Sequence, residues 1–194
     1  HRDLHLSLRR QRQMCIRDRD WTRVHVLWGD ERCVPPDHPE SNYRMAREVL
    51  LDKVPLPSEN VHRIRGECPL EEAATAYQAE LEALLGSKGR IDLVFLGMGA
   101  DGHVASLFPD EPALEEQERL VVAVASKGAR LARVTLALPA INAARQVVFL
   151  VAGRAKTVPL AHVFASEPLP AGRVHPLQGQ LVWLVDREAA QGLV

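Results

Sequence analysis

The chain has 194 residues, with 24 Lys plus Arg set against 25 Asp plus Glu and a formal net charge of −1. That length suits one domain with a sizeable core, and the charge balance excludes the broad cationic surface that nucleic acid or anionic membrane requires. With 46% hydrophobic and 25% charged residues the bulk reads as globular, and no apolar run approaches the ~20 residues of a bilayer span.

Residues 1–20 are Arg-rich, start without Met or a secretory apolar stretch, and show no clean period. They are expected to be an atypical segment, foreign or disordered, ahead of a single α/β domain over residues 21–194. From Val24 the texture changes: Val24–Trp28 reads as a buried strand ending at Gly29. Ser41-Asn42 offers an N-cap for a helix through Met45, Val49 and Leu50 that stops near Pro55. Leu70, Ala73, Ala74, Tyr77, Leu81, Leu84 and Leu85 fall on one helical face, which Gly86 closes. Ile91–Leu96 is almost continuously apolar and runs into glycines, as a central parallel strand does.

Further on, Leu120–Val124, Arg133–Leu138, Val147–Val151 and Leu181–Val185 read as strands. Lys156–Phe164 reads as a helix with Pro159 confined to its first turns or kinking it. Strands alternating with helices predict an open, mostly parallel, doubly wound sheet with helices on both faces. Ligands bind such sheets beyond the carboxyl ends of the strands. That rule marks Gly29–Pro36, Gly97–Pro109 and Gly153–Lys156.

Each of the three carries unusual residues. Gly97-Met98-Gly99-Ala100-Asp101-Gly102-His103 lets the backbone turn tightly and frees N–H groups for an anion or oxyanion. Its spacing departs from G-x-G-x-x-G, and no Walker Lys-Ser/Thr follows, which disfavours nucleotide binding. His103 can accept a proton near neutrality, and Asp101 can orient it. Taken alone, a loop His is commonly a surface or capping residue and Asp-Gly a common turn. In Asp30-Glu31-Arg32, Arg32 can grip a phosphate bidentately while Asp30 and Glu31 bond sugar hydroxyls or lock Arg32. A solvated turn with a salt bridge is the competing reading. Lys156, after Gly153 at a helix start, is a second anion candidate, although a lone Lys there commonly faces solvent.

No nucleophile set is evident: Ser106 lacks the G-x-S-x-G context and Cys33 lacks a partner base. Cys15, Cys33 and Cys68 form no CxxC, and His162 with His175 lacks ligand spacing, so no disulfide framework or metal site is expected and a reducing cytosol fits.

Asp30-Glu31-Arg32 with Val34-Pro35 and then Ser41-Asn42-Tyr43 resembles the first signature of 6-phosphogluconolactonases. Leu96-Gly97-Met98-Gly99-Ala100-Asp101-Gly102-His103-Val104-Ala105-Ser106-Leu107-Phe108-Pro109 is similar to the second. Arg133-Val134-Thr135-Leu136 with Pro139 and Asn142, then Gly153 with Lys156, resemble later segments. The likeness runs from about Val24 to the C-terminus. It implies the α/β fold shared with glucosamine-6-phosphate deaminases and hydrolysis of 6-phosphoglucono-1,5-lactone in the oxidative pentose phosphate pathway. It implies no metal and no organic cofactor; a monomer or small homo-oligomer is expected, and charge balance and hydropathy argue against nucleic acid and membrane as partners.

By that resemblance His103 is the general base with Asp101 beside it, and Arg32 and Lys156 hold the 6-phosphate. Asp30, Glu31, Asn42, Gly97, Gly99 and Arg133 are the further substrate-binding candidates. The family's usual opening strand and helix, with a Gly-Gly-Ser-Thr-Pro-like phosphate loop, has no counterpart in residues 1–20. The expectation is therefore a chain lacking that unit, by truncation or a foreign start. Two alternatives stand beside this reading: an amino-sugar phosphate isomerase or deaminase, and a non-catalytic sugar-phosphate-binding module.

Overall fold

The computed structural model describes residues 19–86 and 89–193. The atypical stretch read over residues 1–20 thus lies outside the described residues except for its last two, and Cys15 lies outside them too. The described chain opens with a single 3-10 turn, Trp21–Arg23, capped by Asp20, whose carboxylate accepts the Thr22 N–H at 3.1 Å.

Eight strands follow: β1 (Val26–Leu27), β2 (Asp30–Arg32), β3 (Val61–His62), β4 (Val94–Leu96), β5 (Val121–Val124), β6 (Arg133–Leu136), β7 (Gln146–Val151) and β8 (Gln180–Val185). Among the described residues four α-helices accompany them: α1 (Asn42–Val49), α2 (Leu70–Leu85), α3 (Leu138–Ala143) and α4 (Thr157–Phe164). The strands pair as β1-β3, β2-β6-β5 and β4-β7-β8. The first and third sheets are parallel, as the alternation of strand and helix predicts.

The second sheet is antiparallel and was not anticipated. Asp30, Glu31 and Arg32 face Thr135, Val134 and Arg133, and Val121–Val124 pairs along the other edge of β6. A strand made of three charged residues carries no apolar alternation. Its pairing comes from β6, whose Val134, Thr135 and Leu136 are buried. Short β3 and α3 were also unread. Two residues give no period, and Pro139 near the start of α3 follows directly on an apolar strand.

The helices follow their local chemistry. Ser41 caps α1, its Oγ accepting the Arg44 N–H at 3.1 Å. In α2, Ala73, Ala74, Tyr77 and Leu81 are buried against β5 and β6, and Gly86 ends the helix at φ 62°. Tyr77 locks this helix to the end of β1, since its hydroxyl accepts the Trp28 N–H at 2.9 Å and donates to the Trp28 carbonyl at 3.0 Å. Burial pushes that phenol well above its ordinary range, so it stays a neutral donor. One core joins all three sheets, from Trp28 and Ile64 through Leu81 and Val134 to Phe149 and Leu160.

Candidate active site

The glycine loop after β4 is folded upon itself. The Gly99 N–H donates to the His103 carbonyl at 2.8 Å, and the Gly102 N–H donates to the Gly99 carbonyl at 3.1 Å. Gly102 takes φ 81° against Leu169, a conformation suited to glycine. Gly99 is required for space, because a Cβ there would lie 2.1 Å from His103 Nδ1 and 2.5 Å from Asp101 Oδ1.

That absent methyl makes room for the His–Asp pair. His103 Nδ1 is 2.6 Å from Asp101 Oδ1, which also accepts the His103 backbone N–H at 3.2 Å. Burial raises the Asp101 pKa, but the two hydrogen bonds from His103 and its charge outweigh it, leaving the carboxyl below its usual range. A carboxylate can only accept, so Nδ1 carries the proton and Nε2 holds the free lone pair. The Phe108 ring, with its centroid 4.6 Å from that of the imidazole, restricts the other face. Among the described residues Nε2 has no protein partner.

His103 opens into a cleft of about 340 Å³. Its lining brings together Asp30, Arg32, Gly97, Gly99 and Lys156, drawn from all three strand-end segments marked in the sequence, with Asn42 from α1 and Arg133 from β6. Met98 and Ala105 line it as well, unforeseen although both lie inside the glycine motif. Asp101 sits beside the cleft through His103.

The cationic wall is built on β2 and β6. Arg32 and Arg133 are direct cross-strand partners, an arrangement in which like charges repel. Arg133 is pushed below the usual guanidinium range by burial, then by Arg32 and Arg130, while Asp30 opposes the shift. Asp30 relieves part of this, its Oδ2 lying 3.6 Å from Arg133 Nη1. Arg32 donates from Nη1 to the Glu40 carbonyl at 3.0 Å and to Asn42 Oδ1. Asn42 in turn donates from Nδ2 to the Asp30 carbonyl at 2.9 Å. The Nε–H groups of Arg32 and Arg133 are buried and have no acceptor among the described residues. Facing guanidiniums with spare donors suit a multivalent anion. Lys156 also lines the cleft, from a 3-10 turn (Arg154–Lys156) that follows Gly153 and leads into α4.

One expected ligand residue needs correction. Glu31 is 2% exposed and does not line the cleft. Its carboxylate accepts the backbone N–H of Arg32 at 2.8 Å, of Asn42 at 2.7 Å and of Tyr43 at 2.7 Å, plus the Ser41 hydroxyl at 3.1 Å. It anchors the start of α1 to β2, the locking role rather than the sugar-binding one. Burial and Glu31 push the Cys33 thiol up, away from nucleophilic use. Among the described residues no group of His, Cys, Asp and Glu is placed to hold a metal ion, and no helix is long and apolar enough to cross a membrane.

Loop, cleft and α/β frame together define a family. The chain belongs to the glucosamine-6-phosphate isomerases/6-phosphogluconolactonase family, whose model matches residues 3–183. It is 44% identical over 182 residues to a 6-phosphogluconolactonase of Synechocystis, covering 89% of this chain and 75% of that protein. It is 44% identical over 168 residues to human 6-phosphogluconolactonase, covering 84% of this chain and 65% of the human one. The solved structure of 6-phosphogluconolactonase from Thermotoga maritima superposes with a TM-score of 0.80 at 33% identity, covering 90% of this chain and 78% of that one.

Proposed function

We infer that this chain is an enzyme that hydrolyses 6-phosphoglucono-1,5-lactone to 6-phosphogluconate, with His103 as general base. The observation that carries the reading is a single cleft in which an imidazole with a free Nε2 faces two guanidiniums and an ammonium. The names of the relatives point the same way, and the isomerase–deaminase alternative has no comparable support.

Nε2 takes a proton from water as its oxygen adds to the lactone carbonyl. Asp101 holds the ring in the required tautomer and stabilises the imidazolium that forms. The tetrahedral intermediate collapses by breaking the bond from C1 to the ring oxygen, and His103 returns the proton to that leaving alkoxide. The new carboxylic acid then ionises. Arg32, Arg133 and Lys156 form the phosphate anchor, and Asp30 and Asn42 bond sugar hydroxyls at its edge. A lactone is an activated ester, so a placed base and an anchored substrate suffice. The working place we assign is the cytosol, within the oxidative pentose phosphate pathway, in keeping with three cysteines that form no CxxC.

The test is His103→Ala. Turnover should fall by about 10²- to 10⁴-fold, while affinity for 6-phosphogluconate is retained. Turnover of a folded His103→Ala variant within twofold of the parent removes His103 from the reaction. Arg32→Ala should raise KM for the phosphorylated lactone about tenfold, the scale of one lost charge-assisted contact, and leave the unphosphorylated lactone unchanged. Equal effects on both substrates would take Arg32 out of the phosphate site.

A further inference from the structure

The loop that carries His103 is fastened to the cationic wall at one buried point. Ser106 has no exposed surface. Its hydroxyl donates to Asp30 Oδ2 at 2.6 Å, and its backbone N–H donates to Thr135 Oγ1 at 3.1 Å. Asp30 and Thr135 are themselves cross-strand partners, on the strands that carry Arg32 and Arg133. The link from Ser106 back to the base is short. Val104 and Leu107 exchange backbone hydrogen bonds at 3.4 and 2.8 Å, and between them Ala105 sits at φ 48°. That left-handed conformation is unfavourable for a residue with a Cβ, so the turn depends on what holds its ends.

The far side of Asp30 belongs to the anion cradle. Its Oδ1 accepts Asn42 Nδ2 at 3.1 Å, and Arg133 Nη1 lies 3.6 Å from the same Oδ2 that Ser106 engages. One carboxylate is therefore shared between the base-bearing loop and the groups that meet the phosphate. An anion that draws Arg133 and Asn42 to itself leaves more of the Asp30 charge to the Ser106 hydroxyl.

We propose that Ser106 is a positioning residue that makes the placement of His103 depend on an occupied phosphate cradle. The inference rests on the lactonase reading above. Phosphate in the cradle then raises the reactivity of the base as well as the affinity for substrate. Ser106 touches neither the attacked carbonyl nor the water, and it acts only through Asp30 and the Val104–Leu107 turn.

The experiment compares kcat/KM for 6-phosphoglucono-1,5-lactone with kcat/KM for glucono-1,5-lactone. It uses the parent, Ser106→Ala, and Ser106→Cys, which keeps most of the side-chain volume but donates weakly. The ratio of phosphorylated to unphosphorylated activity should fall about tenfold in Ser106→Ala, the scale of one hydrogen bond to a charged group. Ser106→Cys should fall in the same direction by less. A purely structural role lowers both activities together, through less folded protein, and leaves the ratio alone. A ratio within twofold of the parent in whichever variant folds overturns the proposal. If instead the parent hydrolyses neither lactone, the lactonase reading itself fails, and the two failures are told apart.

Discussion

The two shortest imidazole–carboxylate pairs among the described residues are nearly equal in length, but only His103 turns its imidazole into a cleft, whereas in the other pair it is the carboxylate of Glu80 that lines one. His103 Nδ1 lies 2.6 Å from Asp101, and His62 Nδ1 lies 2.8 Å from Glu80. His62 spends its second nitrogen on His25, with Nε2 2.9 Å from His25 Nδ1 and the two rings stacked. Its hydrogen-bonding capacity is filled, it is largely buried at the end of β3, and it joins β1, β3 and α2. His103 keeps one nitrogen unspent, rests on a glycine loop instead of a strand, and shares its cleft with the guanidinium side chains of Arg32 and Arg133. A short His–carboxylate contact therefore does not identify a base. The free nitrogen and the anion-binding wall beside it do.

The contrast breaks most severely at Gly99. Gly99→Ala drives a methyl into the His103–Asp101 contact, and turnover should drop about a hundredfold, the scale of an ångström-sized misplacement. Circular dichroism should show the fold retained, and normal turnover in a folded variant would mean that the pair is not the reacting one. His62→Ala is the complementary change. It should cost about 1–2 kcal/mol in urea unfolding, because two partly buried hydrogen bonds go, while turnover at saturation stays within about twofold. A kinetic loss matching that of His103→Ala would erase the distinction between the pairs.

The smallest effect concerns acid stability. The folded Asp101 carboxyl is more acidic than in the unfolded chain. It therefore contributes stability above the ordinary carboxylate range, about pH 4, and that contribution is shed as pH falls through the lowered value. Asp101→Asn should flatten this part of the urea midpoint against pH. The effect is small, since the side chain is 51% exposed and screened by solvent. An acid limb identical to the parent's would mean that the carboxylate gains nothing from His103 on folding.

What the sequence disclosed tracks how local the determining physics is. Helix α2 was legible because its buried face recurs at helical spacing and Gly86 stops it, and α1 because Ser41 caps it. Strands β4 and β7 were legible as apolar runs. The cleft was legible as a place, since one topological rule marked three separated segments that the fold brings together. What escaped depended on partners far along the chain. Asp30–Arg32 is a strand only because β6 lies beside it, and Glu31 turns inward because α1 presents two N–H groups, those of Asn42 and Tyr43, that no local pattern reveals. Ser106 could be excluded as a nucleophile from its surroundings in sequence, but its bond to Asp30 spans 76 positions. The antiparallel sheet and the wiring behind the cleft share that cause.

The aromatic contacts of Trp183 within β8 bear on the cleft as well. Trp183 stacks on Phe149 with centroids 3.9 Å apart, and Phe164, the last residue of α4, leans on the same indole at 5.4 Å. Lys156 occupies the cap at the other end of that helix. One helix of two turns therefore joins the residue that brings an ammonium to the cleft to an indole held between two phenyl rings, so the footing of Lys156 is set by aromatic packing on the far side of the sheet's last strand.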